Sequence, residues 1–371
     1  EFLEESGDTD GEPIHIRSYG DPTFGSFRYA STKPESLIPA LYEKLKINKA
    51  IQSYYFVIDN SAFETKNIPD GWIMQDVGNY YGAGPGGLNW RENQFDLYLK
   101  SSNEVGGPVS IVSINGDTKR QVRFISEAKA AAKGTGDNAY IYLPFAGTEY
   151  IVRGTIPAGE ANFKISGAIN EPIPYFMFDF MKYAQSQSSN PAKEPKSIYQ
   201  DFRFSGAEKI FFTHYSPSLD SIIYWFNKRS VNFYGEALVK TFAYEQQGFG
   251  RTDSGVSIMR RFWEQKGMDK EELNVYDGSG LSPLNRVTTH AQVEILKHAR
   301  TRDWYPYFFD ALPEYNDMKM KSGTISDVKG FCGYHKASDG KEYIFSFLVN
   351  NYSGRSSELV GKMYKVLDNL K

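Results

Sequence analysis

Residues 319–334, KMKSGTISDVKGFCGY, join an apolar run rich in β-branched and aromatic residues to a lysine, two hydroxyls and a glycine at its start. This composition predicts a β-strand over 325–335, and a turn at 338–340 leads to a second strand over 342–350. The chain closes with an amphipathic helix whose apolar face carries Leu359, Met363, Val366 and Leu370. A hairpin with a helix across it indicates an α+β architecture.

The residues upstream of this hairpin are predicted to be mainly helical. The stretch SPSLDSIIYWFNKRS spaces its apolar residues as on a helix face, with Ser216 as N-cap and Pro217 at the first helical position. This helix should end near Ser230. Further helices are predicted in NFYGEALVKTFAYEQ, GVSIMRRFWEQKG and THAQVEILKHARTR.

The first half of the chain mixes helices with short strands. Leu37, Leu41 and Leu45 recur every four residues and predict a helix, and SYYFVID predicts a strand. Between residues 93 and 165 the alternating runs QFDLYLKS, VSIVSING, NAYIYLPF and EYIVRGTI predict a small antiparallel β-domain. The passage before it, GWIMQDVGNYYGAGPGGLNWREN, is too irregular for a helix and too apolar for a solvated loop. We therefore expect it to pack against other parts of the protein.

Composition and charge exclude several classes of protein. The 371 residues are too many for one small core, so two or three domains are expected. A net charge of −3 without a basic stripe argues against nucleic acid, and no run of about 18 apolar residues is present to form a transmembrane segment. The single Cys332 excludes an internal disulfide, and His290 and His298 lie too far apart on one helix to share a metal. No metal and no other cofactor is predicted.

Two short patterns lie in the helical region. Ser230-Val231-Asn232 falls at the break between two predicted helices, where both polar side chains can face one cleft. The alternative is that they cap the helices, as serine and asparagine often do. Residues 276–288, YDGSGLSPLNRVT, suit a tight loop approached by another chain, or a plain connection to a helix capped by a threonine.

A third pattern is the head of the quoted strand. Lys321 carries a fixed ammonium, and the hydroxyls of Ser322 and Thr324 are two residues apart. Such a strand end can bind a carboxylate, while its backbone N–H groups face a peptide laid alongside as an extra strand. By itself, an ordinary polar strand end is the simpler interpretation.

Taken together and in this order, the three patterns have a specific parallel. With GDPTFGS, DNSAF, GWIMQDVGNYYGAGPGGLNWREN, NKRSVNFYGEALVKTF and DGSGLS, the chain resembles, from about residue 12 onward, the class C low-molecular-mass penicillin-binding proteins. These are the D-alanyl-D-alanine carboxypeptidases and endopeptidases of the penicillin-binding and β-lactamase superfamily. The resemblance implies an α+β transpeptidase-like domain, an antiparallel sheet flanked by helices, with inserted β-rich domains. We expect residues 1–11 and 200–371 in the catalytic domain, 12–92 and 166–199 in a second domain, and 93–165 in a third.

The resemblance also implies roles for the residues of two patterns. Members of this family cut the terminal D-Ala-D-Ala bond of peptidoglycan stem peptides through an acyl-serine that penicillins trap. Ser230 would move a proton toward the leaving amine, Asn232 would hold the substrate amide, and Lys321 would raise the local positive potential. The substrate carboxylate would bind within Ser322-Gly323-Thr324, on the two hydroxyls, with the backbone N–H of Thr324 as an oxyanion donor.

The sequence QDVGNYY implies a further contact with the stem peptide. In relatives with this pattern the aspartate and the last tyrosine line a pocket for the diamino-acid side chain, here Asp76 and Tyr81. The alternative is that Asp76 caps a turn. Many relatives carry an arginine after DGSGLS, but Pro283 occupies that position, so the diamino acid is left open, with Arg286 as a nearby substitute.

The family's Ser-x-x-Lys nucleophile is the largest departure, because it should precede GDPTFGS and no match lies there. The matches at Ser126–Lys129 and Ser326–Lys329 fall in the predicted β-domain and on the predicted strand, and we interpret both as chance. The chain, which begins without a methionine or a leader-like segment, is therefore expected to be a fragment that lacks its nucleophile and is inactive. A protein of this family is expected in the periplasm or cell envelope and to bind β-lactams. A catalytically silent peptidoglycan-binding module is the alternative, and a homo-oligomer stays open.

Overall fold

The computed structural model describes residues 1–4, 14–47, 55–115, 123–144, 148–187, 196–198 and 209–371. Strands and helices alternate irregularly along these ranges, as the sequence predicts for an α+β protein. The α-helices of the described ranges are α1 (Pro34–Ile47), α2 (Met74–Val77), α3 (Pro172–Gln187), α4 (Leu219–Arg229), α5 (Asn232–Gln247), α6 (Thr252–Glu264), α7 (Thr289–Arg300), α8 (Tyr305–Ala311) and α9 (Ser356–Leu367). The strands are β1 (Phe2–Glu4), β2 (Ile14–Arg17), β3 (Tyr55–Asp59), β4 (Gln94–Ser101), β5 (Val109–Asn115), β6 (Arg123–Ser126), β7 (Lys129–Ala131), β8 (Asn138–Tyr142), β9 (Glu149–Pro157), β10 (Phe163–Ala168), β11 (Lys196–Ile198), β12 (Lys209–Phe212), β13 (Leu273–Asn274), β14 (Arg286–Val287), β15 (Glu314–Tyr315), β16 (Met318–Ile325), β17 (Val328–Lys336) and β18 (Glu342–Asn350).

A mixed sheet with strand order β11-β3-β2-β1-β12 gathers segments that are far apart in sequence. Strand β3 runs parallel to β2 and β11, and the other pairs are antiparallel. Leucines of α1 and phenylalanines of α3 pack with Trp90 in the core beside it. The predicted domain boundaries near residues 11 and 199 lie outside the described residues, and the division into three domains stays a prediction.

The strands between Gln94 and Ala168 form two small sheets, β10-β4-β5 and a group around β9. The prediction that this region is antiparallel is wrong in part, because β6 and β7 both pair parallel with β9. The chain returns through β8, which pairs antiparallel with the other edge of β9. Strand β7, which precedes β8 in the chain, therefore pairs with the opposite edge of β9 and runs parallel to it.

The C-terminal sheet is antiparallel with strand order β15-β16-β17-β18, and α9 packs its apolar side against it. The prediction of one strand over 325–335 is wrong at its start, because a tight turn at Ser326-Asp327 divides the quoted stretch into β16 and β17. Asp327 occupies the left-handed region at φ 57°, which aspartate tolerates better than most residues. The lysine and hydroxyls thus lie on a different strand from the apolar run.

The helical predictions are mostly confirmed, with corrections at their ends. Helix α4 stops at Arg229, as expected, but its N-cap is Ser218 rather than Ser216. Val366 is 56% exposed, whereas Leu367 lies on the buried side of α9, because the packed face is rotated by one residue. Helix α8 was missed, since seven residues are too few for a periodic pattern.

The irregular passage before β4 packs as expected, because residues 82–90 are all buried. The amides of Asn89 and Asn93 bond to the backbone of Gly86 and Gly84 and replace regular secondary structure there. Within the described ranges, no helix combines the length and the apolar character needed to cross a bilayer.

Candidate active site

The junction of α4 and α5 places the first polar group of the site. Ser230 ends α4 in the left-handed conformation, at φ 53° and ψ 52°, which is uncommon for a residue with a side chain. Val231 is buried and directly precedes α5, so the chain reverses direction between two packed helices. This geometry leaves Ser230 exposed at the corner. Ser230 is the C-cap of α4, where its backbone N–H donates to the carbonyl of Phe226, but neither polar side chain of the motif caps α5.

The strand-borne lysine reaches this corner directly. The Nζ atom of Lys321 donates a hydrogen bond to Oγ of Ser230 at 2.8 Å and another to the carbonyl of Ser322 at 2.8 Å. Burial lowers the pKa of the Lys321 ammonium, the charge of Lys329 acts in the same direction, and the Cys332 thiol opposes both. Because lysine can only donate, the Ser230 hydroxyl accepts here and keeps its own proton for another acceptor.

The outer edge of β16 is open next to this contact. Strand β15 pairs with β16 only at Met318 and Lys319, so from Lys321 onward no described strand covers that edge. Gly323 is exposed and nothing lies within 4 Å of where a Cβ would be. An extended peptide can therefore approach the backbone between the hydroxyls of Ser322 and Thr324.

The amide of the second motif residue ties α5 to the irregular passage. Nδ2 of Asn232 donates to the carbonyl of Tyr81 at 2.9 Å, and the Tyr81 hydroxyl donates to Oδ1 of Asp76 at 3.3 Å. Burial raises the pKa of Asp76, and the bond from Tyr81 partly offsets this effect. The carboxylate does not cap its turn, because the turn is closed by the Asp76 carbonyl, which accepts from Asn79. The structure thus links Tyr81, and through its hydroxyl Asp76, to Asn232, which follows Ser230 by two residues.

Two buried carboxylates beneath the site were missed in the sequence. Oε1 of Glu236, one turn after Asn232, accepts from the backbone N–H groups of Gly278 at 3.0 Å and Ser279 at 2.7 Å. Burial raises the pKa of Glu236 to about 7, with a further contribution from the charge of Asp277. The only sign of a buried carboxylate in the sequence is the GEAL stretch of α5, where the acidic Glu236 occupies a helix position that packs against apolar neighbours.

Asp277 organises the DGSGLS loop from within. Its carboxylate accepts from the N–H of Ser282 at 2.6 Å, from Gly280 at 2.8 Å, and from the indole of Trp72 at 2.9 Å. The loop approaches α5 so closely that a Cβ on Gly278 would collide with the carbonyl of Gly235. Loop and helix therefore form one rigid wall of the site.

Lys240 anchors the other end of this wall. The side chain is fully buried, and its ammonium donates to the carbonyls of Lys66 at 2.9 Å and Pro85 at 3.0 Å, with Oε1 of Glu64 at 3.5 Å. Burial lowers its pKa, which the Glu64 carboxylate partly reverses. Helix α5 is thus fixed to the passage that carries Tyr81.

Other residues singled out in the sequence lie elsewhere. Arg286 donates to the carbonyl of Pro283 at 2.6 Å and so folds back on its own loop. In the Ser-x-x-Lys matches, Ser126 ends β6, and Ser326 belongs to the β16–β17 turn. A third match that the sequence reasoning passed over, Ser338–Lys341, lies in the turn before β18.

None of these matches is helical, so in none of them does the spacing of three stack the lysine on the serine as it does in one helical turn. In the described ranges, no three acidic, histidine or cysteine side chains gather as a metal site would require.

Comparison with solved structures identifies the fold. The structure superposes on penicillin-binding protein 4 from Haemophilus influenzae with a TM-score of 0.77 and 17% sequence identity, covering 100% of this chain and 85% of that one. A second structure of that protein, complexed with a β-lactam, gives a TM-score of 0.70 at 16% identity and covers 100% and 84% of the two chains. The architecture is therefore the α+β fold of penicillin-binding protein 4.

Sequence comparison identifies the family. Residues 3–314 match the model of the D-Ala-D-Ala carboxypeptidase 3 (S13) family, and the chain belongs to that family. A D-alanyl-D-alanine carboxypeptidase of Actinomadura sp. is 24% identical over 322 residues, 80% of this chain and 59% of that protein. The penicillin-sensitive carboxypeptidase A of Dictyostelium discoideum is 19% identical over 380 residues, 94% of this chain and 70% of its own length. The resemblance to class C penicillin-binding proteins is confirmed.

Proposed function

We propose that the Ser230–Lys321 contact belongs to the active site of a serine-type D-Ala-D-Ala carboxypeptidase or endopeptidase that acts on peptidoglycan stem peptides. The observation that carries the proposal is the 2.8 Å bond between these side chains, which come from elements 91 residues apart and meet beside an open strand edge. Membership of the S13 family supports the reaction class. A substrate of this kind lies in the cell wall, so the protein acts in the periplasm or cell envelope.

Lys321 and Ser230 transfer a proton, and Asn232 positions the substrate. Lys321 keeps the Ser230 hydroxyl oriented with its proton available, so that Ser230 protonates the leaving D-alanine amine as the peptide bond breaks. Burial lowers the pKa of Lys321, which eases movement of a proton along this pair. Asn232, held by the carbonyl of Tyr81, binds the substrate amide.

The strand edge binds the end of the substrate. The hydroxyls of Ser322 and Thr324 take the terminal carboxylate, and the N–H of Thr324 stabilises the oxyanion. Gly323 between them allows the peptide backbone to lie close to β16. Penicillins and other β-lactams carry an equivalent carboxylate and bind in the same place.

Asp76 and Tyr81 recognise the third residue of the stem peptide. An ammonium on that side chain pairs with the Asp76 carboxylate, while its methylenes pack on the Tyr81 ring. Because the site supplies this carboxylate and Arg286 is turned onto its own loop, a lysine-like side chain fits better than one that ends in both an ammonium and a carboxylate.

The 371 residues by themselves are proposed not to be acylated, because no Ser-x-x-Lys match lies on a helix at the site. The alternative function, a silent module that binds stem peptides, rests on the same observation. Intact mass after treatment with benzylpenicillin distinguishes the two ideas, since an adduct on this polypeptide would show that it holds its own nucleophile.

Labelling with fluorescent penicillin tests the peptidase function on the protein as its gene encodes it. We expect labelling of the wild type and strongly reduced labelling of Lys321→Ala. Equal labelling of both proteins, or labelling of neither, would exclude the proposed peptidase. Lys362→Ala, an exposed lysine of α9, serves as the control and should label like the wild type.

A further inference from the structure

A second lysine lies on the hydroxyl side of the open strand edge. Residues that face each other across an antiparallel pair point to the same side of the sheet. Thr324 of β16 faces Lys329 of β17, and Ser322 faces Phe331. Lys329 therefore shares a face with both hydroxyls that are proposed to receive the substrate carboxylate, whereas Lys321 points to the other side, toward Ser230.

The contact between this lysine and Thr324 is direct. The Nζ atom of Lys329 donates to Oγ1 of Thr324 at 2.5 Å. The threonine oxygen accepts this bond, so its own proton can be given only to a different acceptor. A carboxylate oxygen in front of β16 is such an acceptor, and the neighbouring ammonium would strengthen that hydrogen bond.

No carboxylate of the described residues neutralises the charge of this lysine. Neither Lys321 nor Lys329 has a carboxylate within 4.0 Å in the part of the chain that the structure describes. Lys329 is half-buried over the ring of Phe331, at 5.3 Å from its centroid, and burial lowers its pKa. The charge of Lys329 also lowers the pKa of Lys321, so two ammonium groups flank the two hydroxyls, an arrangement that an anion would stabilise.

We propose that Lys329 is a specificity-determining residue that binds the free terminal carboxylate of the stem peptide together with Thr324 and Ser322. This inference rests on the proposed function and adds to it a cation from the neighbouring strand. It makes the charge of the peptide end, rather than its shape alone, the feature that the site selects. Peptides whose last carboxylate is amidated should bind poorly for that reason.

The sequence alone does not indicate this role, because Lys329 appears there as half of a chance Ser-x-x-Lys match on one predicted strand. Only the turn at Ser326-Asp327 brings Lys329 back to face Thr324.

Calorimetric titration with two peptides tests the proposal. The probes are Nα-acetyl-L-lysyl-D-alanyl-D-alanine, which keeps the side-chain ammonium, and the same peptide with a C-terminal amide, titrated into the wild type, Lys329→Met and Lys329→Arg. The wild type should prefer the free acid, and Lys329→Met should reduce the acid-to-amide affinity ratio by about tenfold, the effect of one charge-assisted hydrogen bond. Lys329→Arg should keep most of the ratio. Lys336→Met, an exposed lysine at the far end of β17, should leave it unchanged.

The affinity ratio separates the possible failures. Both peptides are measured on the same preparation, so partial unfolding changes the stoichiometry but not the ratio. An unchanged ratio in Lys329→Met, with binding lost in Thr324→Val, overturns the role of Lys329 and leaves the proposed function standing. Absence of binding of either peptide to the wild type overturns both.

Discussion

The two walls of the candidate site are built in opposite ways. The helical wall, α5 with the DGSGLS loop, rests on buried groups such as Glu236 and Lys240 that bond to backbone on several segments. The strand wall ends in exposed Gly323 and Thr324, with one edge uncovered among the described residues. This contrast indicates that the buried contacts of the helical wall stabilise the fold, whereas the strand wall leaves polar groups available to bind a ligand. Substitutions in the first should therefore cost stability, and those in the second should cost binding.

The largest loss of stability is expected for Lys240→Ala. The change leaves the carbonyl of Lys66 and the buried carbonyl of Pro85 without this donor, and Glu64 without its cation. We expect the free energy of unfolding to fall by about 3–5 kcal/mol, measured by urea denaturation. Lys362→Ala on α9 should stay within about 0.5 kcal/mol of the wild type. A similar small effect at Lys240 would show that the helical wall does not depend on this anchor.

The pH dependence of stability should follow Glu236. Its pKa rises from 4.5 to about 7 on folding, so the folded state holds this proton more tightly than the unfolded state. The resulting stabilisation is complete below the unfolded pKa and is lost as the pH rises through about 7, by a total on the order of 3 kcal/mol. Unfolding measured between about pH 5 and about pH 8 should show this decline in the wild type and a flatter profile in Glu236→Gln. Identical profiles would rule Glu236 out as the titrating group and leave its neighbour Lys240 to be tested.

A methyl group between loop and helix should loosen the same wall. In Gly278→Ala the new Cβ collides with the carbonyl of Gly235, and backbone cannot move aside cheaply. We expect a loss of about 2 kcal/mol in thermal or chemical unfolding. The matched control is Gly361→Ala, where the added Cβ meets open space on α9 and should increase stability by about 0.5–1 kcal/mol. Equal effects at the two glycines would contradict the close approach.

The smallest change in stability is expected on the strand wall, for Lys321→Met. This ammonium is half-buried without a carboxylate among the described residues, and its bond goes to the exposed Ser230. The free energy of unfolding should change by less than about 1 kcal/mol, because a lost surface hydrogen bond is offset by removal of a desolvated charge. Titration with Nα-acetyl-L-lysyl-D-alanyl-D-alanine should nevertheless show at least about tenfold weaker binding. A loss of stability without a loss of binding would contradict the assignment of ligand binding, rather than stability, to the strand wall.

Local patterns were enough to place most elements but not their register. The break at Ser230 and the leucine repeat of α1 follow from periodicity and capping, which act within a few residues. The turn at Ser326-Asp327 was missed because it has no glycine or proline to mark it. The parallel pairing of β6 and β7 with β9 depends on which edge of β9 is free, and no short stretch encodes that.

For the candidate site, the sequence by itself determined the chemistry that is available: a serine and an amide at a helix break, and an ammonium with two hydroxyls at a strand end. Only the tertiary structure decided that Lys321 bonds Ser230, that Asn232 meets the carbonyl of Tyr81, and that Lys329 faces Thr324. The physical reason is that side-chain identity and local periodicity are properties of neighbouring residues. The meeting of groups about 90 or 150 residues apart depends instead on how buried charges, strand pairing and close backbone contacts are satisfied by the whole chain.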